Sequence, residues 1–136
     1  MSQELIKKAN EAIQKCKAAY VGVIDEAGFP SVSTISTIKP ESINEVYFST
    51  GMDGNKIKRL QKNNKISICF HSSGDNVTLV GEAEILTDQE SKDRFWLDWF
   101  DEIYKGGKTD PNYCIVKITP KRASLWVGWE SAEIDL

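Results

Sequence analysis

The segment 30–38 restricts the fold more than any other part of the sequence. It reads Pro-Ser-Val-Ser-Thr-Ile-Ser-Thr-Ile, so apolar and hydroxyl side chains alternate along it. Successive side chains of an extended strand point to opposite faces, and this period of two predicts a strand rather than a helix. Val32, Thr34, Ser36 and Ile38 should share one face, and Ser33, Ile35 and Thr37 the other.

Several other segments carry β-branched and aromatic residues between turn residues, which also predicts strands. Short turns connect them, and no βαβα alternation is present, so antiparallel pairing is expected. The chain is therefore predicted to be α+β, mainly β, with strands that close into a small barrel. The predicted strands are 20–25, 30–38, 45–50, 65–70, 76–86, 113–119 and 123–129, and the predicted helices are 3–18, 55–61 and a third from Asp88 to near Gly106.

Four residues carry local signals for where elements begin or bend. Ser2 is the expected N-cap of the first helix. Thr87 is the expected N-cap of the third helix, where Glu90 stands at capping-box spacing. Gly81 lies inside a predicted strand, which indicates a bulge or a barrel corner.

Length and composition favour a single globular domain over residues 1–136. Hydrophobic residues make up 40% and charged residues 27% of the chain, which is typical of a folded domain rather than a disordered one. No apolar run approaches the roughly 20 residues of a membrane span. The polar N-terminal segment has no apolar signal core, so we expect a cytoplasmic protein without membrane contact.

The cysteines and the histidine favour neither a disulfide framework nor a metal site. Cys16, Cys69 and Cys114 lie far apart and form no CxxC pair, and His71 is the one histidine. We therefore expect reduced, mostly buried thiols and no metal. His71 is expected to be a polar residue at a strand end rather than a catalytic group.

The segment 47–65 combines a glycine turn with a run of positive charge. A strand ends in the hydroxyls of Ser49 and Thr50, a turn with two glycines follows, and a helix opens with Lys56. Free N–H groups at a helix N-terminus attract phosphates, and Lys56 adds a full charge. Five basic residues and no acid lie in 56–65. On a chain of net charge −3 this favours a small anion over a nucleic acid, although an ordinary surface turn stays an alternative.

A series of short motifs follows in a fixed order along the chain: Gly28-Phe29-Pro30, Tyr47-Phe48-Ser49-Thr50, Asn55-Lys56, the strand 76–84, Gly106-Gly107, Asp110-Pro111 and the segment 118–123. Their order and spacing resemble the pyridoxamine 5′-phosphate oxidase-like flavoproteins, over nearly the whole chain. The later motifs are similar to the general stress protein 26 branch of that family. The resemblance implies a six- to seven-stranded antiparallel split β-barrel with three peripheral helices, and a homodimer with FMN at its interface.

The resemblance also implies a set of cofactor-binding residues. The second strand would lie along the flavin and its ribityl chain, and the third strand would contact the cofactor. The turn after it would face the phosphate, and an amide would reach the edge of the ring system. An aromatic near the C-terminus would either stack on the flavin or make an apolar interface contact. The residues are Ser33, Thr34, Ile35, Ser36, Ser49, Thr50, Asn55, Lys56, Asn76 and Trp126, with Trp129 beside the last.

Two positions depart from the family pattern. Ser33 stands where the family commonly has an arginine that pairs with the phosphate, and Gly54 stands where a serine is common. Loss of a bidentate cation is expected to weaken FMN binding by about 2 kcal/mol. The segment that makes the true oxidases specific for pyridoxal phosphate has no counterpart, so that reaction is not predicted.

Three functions follow as hypotheses. The leading one is an FMN-dependent oxidoreductase that acts on an unknown small redox substrate. The alternative is a non-catalytic module that binds or stores a flavin, F420 or haem on the same fold. Nucleic-acid binding is disfavoured, since the basic run holds no aromatic residue that would stack on bases. The stripe of Trp96, Trp99, Phe100 and Ile103 is expected to pack in the core or at a dimer interface.

Overall fold

The computed structural model describes residues 3–136, so the expected N-cap at Ser2 lies outside the described residues. Seven strands form one antiparallel sheet, with three α-helices around it. Two short 3₁₀ turns, Asp98–Glu102 and Gly107–Thr109, precede the sixth strand. The elements are α1 (Gln3–Gln14), β1 (Ala18–Ile24), β2 (Pro30–Ser36), β3 (Val46–Gly51), α2 (Asn55–Lys62), β4 (Lys65–Ser72), β5 (Asp75–Leu86), α3 (Gln89–Arg94), β6 (Tyr113–Val127) and β7 (Glu130–Asp135).

The sheet curls into a barrel that is closed at one point. Its strand order is β2-β1-β4-β5-β6-β3, and β7 pairs with β6. The end strands β2 and β3 meet at an isolated antiparallel bridge between Thr37 and Phe48. Away from that bridge, β2 pairs only with β1 among the described residues. We call the gap between β2 and β3, with the loop 51–54 at its mouth, the split. The seven antiparallel strands and the three helices confirm the predicted fold class.

Strand β6 pairs with three other strands, β3, β5 and β7. Its first half pairs with β3 and its second half pairs with β7. The pairing of β5 with β6 shifts register between Val80 and Gly81, where Gly81 faces Pro120. A Cβ at Gly81 would lie 2.2 Å from the Thr119 carbonyl oxygen, so the expected bulge is confirmed and requires glycine. Because proline is tolerated at a bulge, β6 runs on through Pro120, and the prediction of two separate strands, 113–119 and 123–129, is wrong.

Two apolar clusters pack on opposite faces of β3 and β6. The main core fills the barrel, where α1 covers it with one apolar face and α2 adds Ile57 and Leu60. The second cluster consists of Ile38, Phe100, Tyr104, Tyr113 and Ile115. Helix α1 ends at Gln14, earlier than the predicted 18, because β1 already begins at Ala18.

Helix α3 differs from its prediction at both ends. Its N-cap is Asp88, whose Oδ2 accepts a hydrogen bond from the Ser91 N–H at 3.0 Å, and not Thr87. The helix ends at Arg94, since Leu97 is extended with φ −115° and ψ 139°. The prediction of a helix to near Gly106 is therefore wrong. Aromatic packing after Arg94 overrides the helical spacing of the sequence.

The aromatic stripe predicted on that helix is divided between core and surface. Phe100 is buried in the second cluster, and Trp96 packs edge-to-face on it with ring centroids 5.5 Å apart. Trp99 and Ile103 are exposed. Core packing is thus confirmed for Phe100 and Trp96 alone.

The three cysteines are free thiols, and Cys16 and Cys114 are buried, as predicted. Burial raises the pKa of Cys114 to about 11. Within residues 3–136, no three acidic, histidine or cysteine side chains lie together as metal ligands. In the same range no helix is long and apolar enough to cross a membrane.

Candidate functional site

The loop 51–54 at the mouth of the split is held by a residue from a distant part of the chain. The Met52 N–H donates to the Asn112 carbonyl oxygen at 2.8 Å, and the Asp53 N–H donates to Asn112 Oδ1 at 3.0 Å. A Cβ at Gly51 would lie 2.9 Å from Asn112 Nδ2, so a larger residue there would displace the Asn112 side chain. Asn112 is absent from the predicted site residues; its position just before β6, the partner of β3, was the available signal.

Helix α2 begins at this loop without a side-chain cap. Its N-cap is Gly54, which has no side chain to accept from the first turn. Among the described residues, no acceptor contacts the N–H groups of Asn55, Lys56 and Ile57. These groups carry the positive end of the helix dipole. The start of α2 can therefore donate several hydrogen bonds to an anion.

Lys56, in the first turn of α2, is half-buried and unpaired. No ion pair or hydrogen bond to its side chain is present in the described part of the chain. Desolvation lowers the pKa of Lys56 from its ordinary value of 10.5, and the nearby charge of Arg59 lowers it further. An anion beside the ammonium group would favour its charged form.

Strand β2 lies opposite this turn. The Thr37–Phe48 bridge is antiparallel, so the backbone from Thr37 back to Ser33 runs alongside the backbone from Phe48 forward to Met52. Ser31, two residues before Ser33, accepts a hydrogen bond from Arg59 of α2 at 3.2 Å, so this part of β2 lies beside the helix. The predicted phosphate-binding turn and the predicted flavin strand thus lie on the two sides of one opening.

The side chains of β2 divide between its two faces. Ser33 and Ile35 pair with the buried Val21 and Ala19 of β1, so they face the barrel interior. Ile35 is itself buried in the main core, which leaves its backbone as the part a ligand can reach. Thr34 and Ser36 point to the outer face, where Thr34 pairs with Tyr20 and Ser36 with Ala18.

Ser49 and Thr50 also point in opposite directions. Thr50 pairs with Cys114 of the main core and so faces the barrel interior. Ser49 pairs with Ile115 of the second cluster, where the Tyr104 hydroxyl donates to Ser49 Oγ at 3.4 Å. The two hydroxyls cannot both contact a ligand on one side of β3.

Asn76 and Trp126 lie elsewhere, as cross-strand neighbours on the outer face of β5 and β6. Asn76 Oδ1 accepts from Cys69 Sγ at 3.1 Å, and its Nδ2 has no acceptor among the described residues. Trp126 is 42% exposed and packs edge-to-face on Trp129. Both Asn76 and Trp126 border a shallow depression of about 350 Å³.

The ten candidate residues therefore form two groups. Eight of them surround the split, on β2, β3 and α2. Asn76 and Trp126 lie beyond β1 and β4 in the sheet. Three strand spacings separate β2 from β5, about 14 Å at the usual distance between paired strands. One chain does not bring the two groups into contact.

The donor set at the split fits the phosphate and sugar-like chain of FMN. It offers the Lys56 ammonium, the uncapped N–H groups of α2, the hydroxyls of Ser33 and Thr50, and the backbone of an edge strand. The loop also carries one acid, Asp53, whose Oδ1 lies beside Gly51. A cationic, hydroxyl-lined opening is what a phosphorylated polyol requires.

The sequence matches known proteins over most of its length. Residues 5–127 match the family model described as pyridoxamine 5′-phosphate oxidase. General stress protein 26 of Bacillus subtilis is 26% identical over 140 aligned positions, which cover 90% of this chain and 96% of that protein.

Solved structures extend the comparison. A protein from Clostridium acetobutylicum related to general stress protein 26 superimposes with a TM-score of 0.89 at 26% identity, covering 100% of this chain and 97% of that one. General stress protein 26 of Bacillus anthracis superimposes with a TM-score of 0.84 at 19% identity, covering 98% of this chain and 100% of that one. The chain belongs to the pyridoxamine 5′-phosphate oxidase family.

Proposed function

We propose that the chain binds FMN in the split, with its phosphate at the start of α2. The observation that carries this proposal is the half-buried Lys56 ammonium, which has no carboxylate partner among residues 3–136. Desolvating a cation costs free energy unless a counter-charge compensates it. A phosphate dianion between Lys56 and the free N–H groups of α2 supplies that charge.

The other residues of the split have separate tasks in this proposal. Asn55 and Lys56 hold the phosphate. Ser33 and Thr50 hydrogen-bond the ribityl chain, and the open edge of β2 from Ser33 to Ser36 offers backbone groups to the ring system. FMN, when bound, supplies the redox chemistry for a small substrate. The protein binds the cofactor, orients it and excludes water from one side.

The outer face of the sheet supports a homodimer. Tyr20 and Val32 are 52% and 68% exposed, and Trp126 shares their face. Exposed apolar patches of this kind mark interaction sites. A second copy that packs on this face would bring its own Asn76 and Trp126 to the flavin, because those residues lie too far from β2 in one chain.

A titration followed by flavin fluorescence tests the proposal. The wild type is expected to bind FMN more tightly than riboflavin, and Lys56→Ala to lose about tenfold in FMN affinity with little change for riboflavin. Lys58→Ala is the matched control, since Lys58 is an exposed cation of the same helix. The loaded protein is expected to have the mass of two chains. Equal affinities for FMN and riboflavin would contradict the phosphate site.

A second function, non-catalytic storage of a flavin, F420 or haem, is favoured by one observation. Ser33 supplies a hydroxyl where the resemblance implies an arginine, so the split holds less charge than the family pattern. Reduction of the bound flavin by NADH or NADPH, with turnover on an added acceptor, distinguishes the oxidoreductase from the storage protein. Binding without any reduction favours storage.

A further inference from the structure

We propose that Arg59 is a second cation for the FMN phosphate, supplied from α2 toward the interior face of β2. This inference rests on the proposed function, because it assigns a residue to the same split. Arg59 lies in the basic run, one helical turn after Lys56, and neither the motif nor the resemblance pointed to it.

The contacts of Arg59 place its guanidinium at the split. Nη1 donates to Ser31 Oγ on β2 at 3.2 Å, and Nε donates to Glu26 Oε2 in the β1–β2 turn at 3.1 Å. Ser31 and Ser33 are two residues apart on one strand, so they share its interior face. The guanidinium thus lies next to the Ser33 side of β2, and the side chain is 23% exposed.

Arg59 has hydrogen-bond donors to spare. A guanidinium carries five N–H donors in a planar fork. Nε uses one on Glu26 and Nη1 uses one on Ser31. The other three have no acceptor among residues 3–136. A fork with free N–H groups matches two oxygens of a phosphate.

The local charge also favours an anion between Arg59 and Lys56. Residues three apart are neighbours on a helix surface, and the charge of Arg59 contributes to the lowered pKa of Lys56. Lys62 adds positive charge to the same helix. Of the acids nearby, Glu26 is already paired and 60% exposed, and Asp25 Oδ1 accepts two N–H groups of its own turn.

A purely structural role for the Arg59–Glu26 pair is the competing hypothesis. In that case the ion pair only holds α2 against the β1–β2 turn. A substitution of Arg59 and a substitution of Glu26 should then have the same effect. Exposed ion pairs contribute little stability. A measurement of FMN affinity therefore distinguishes the two roles better than a measurement of folding stability. Glu26→Gln keeps a hydrogen-bond acceptor for Nε while it removes the competing carboxylate.

The test titrates FMN and riboflavin into the wild type, Arg59→Ala, Glu26→Gln and the control Lys58→Ala. We expect Arg59→Ala to weaken FMN binding about tenfold to a hundredfold and to leave riboflavin binding unchanged. Glu26→Gln is expected to bind FMN as tightly as the wild type or more tightly. Lys58→Ala should match the wild type within about threefold.

Three results would overturn the inference. If Arg59→Ala weakens FMN and riboflavin equally, or if Glu26→Gln weakens FMN as much as Arg59→Ala does, the pair is structural. If the wild type prefers FMN to riboflavin and Lys56→Ala removes that preference while Arg59→Ala does not, the proposed function stands without Arg59. A wild type that binds no FMN overturns both.

Discussion

Helices α2 and α3 each carry a lysine that is at least partly buried. Only the lysine of α3 has partners for its charged group. In α3, Lys92 is only 6% exposed, yet its Nζ donates to the Asp110 carbonyl oxygen at 2.9 Å and lies 5.4 Å from the centre of the Tyr113 ring. In α2, Lys56 is less buried and has neither kind of partner among the described residues.

The starts of the two helices show the same contrast. Asp88 caps α3 through Ser91, whereas Gly54 leaves α2 uncapped. The start of α3 is thus matched by a side chain of its own, and the start of α2 is not. Burial of a charge therefore does not identify the site in this molecule. The missing hydrogen-bond partner does, and it separates a structural lysine from one available to a ligand.

The largest effect that sharpens this comparison is expected at Lys92. Lys92→Ala removes the hydrogen bond to Asp110, the contact with Tyr113 and the packing of a buried side chain, so the free energy of unfolding should fall by about 3 kcal/mol. Lys56→Ala should change it by less than about 0.5 kcal/mol. Urea unfolding measures both. Equal losses would break the distinction between the two lysines.

A smaller effect is expected at the cap of α3. Asp88→Ala removes the acceptor of the Ser91 N–H and should cost about 1 kcal/mol in the free energy of unfolding, with FMN affinity unchanged. Thr87→Ala is the matched control and should be close to neutral. The same urea experiment measures both variants. If Thr87→Ala loses more free energy of unfolding than Asp88→Ala, Thr87 is the N-cap.

Local sequence patterns were sufficient to predict the turn that leads into α2. Its glycines, its two hydroxyls and Lys56 follow one another in the sequence, and the structure keeps them within one turn and one helix start. The bulge at Gly81 was also predictable, because a glycine inside a strand often marks a bulge or a close backbone approach. The alternation in 30–38 likewise predicted the correct faces of β2, although the strand ends at Ser36 rather than at Ile38.

Features that depend on distant contacts were not predictable. Whether β6 ends at Pro120 is decided by Gly81 on the neighbouring strand, and the end of α3 is decided by aromatic packing around Tyr113. Arg59 meets Ser31, 28 positions away, across the split. A basic run alone does not distinguish which of its members faces a ligand.

The pKa of Lys56, measured by NMR of its side-chain amine with and without FMN, tests the central claim most directly. Desolvation favours the neutral amine, so in the free protein the pKa should lie below 10.5. A phosphate dianion favours the ammonium, so FMN should raise the pKa, while riboflavin should leave it unchanged. If FMN binds and the pKa of Lys56 does not move, the phosphate is held elsewhere and the account is wrong.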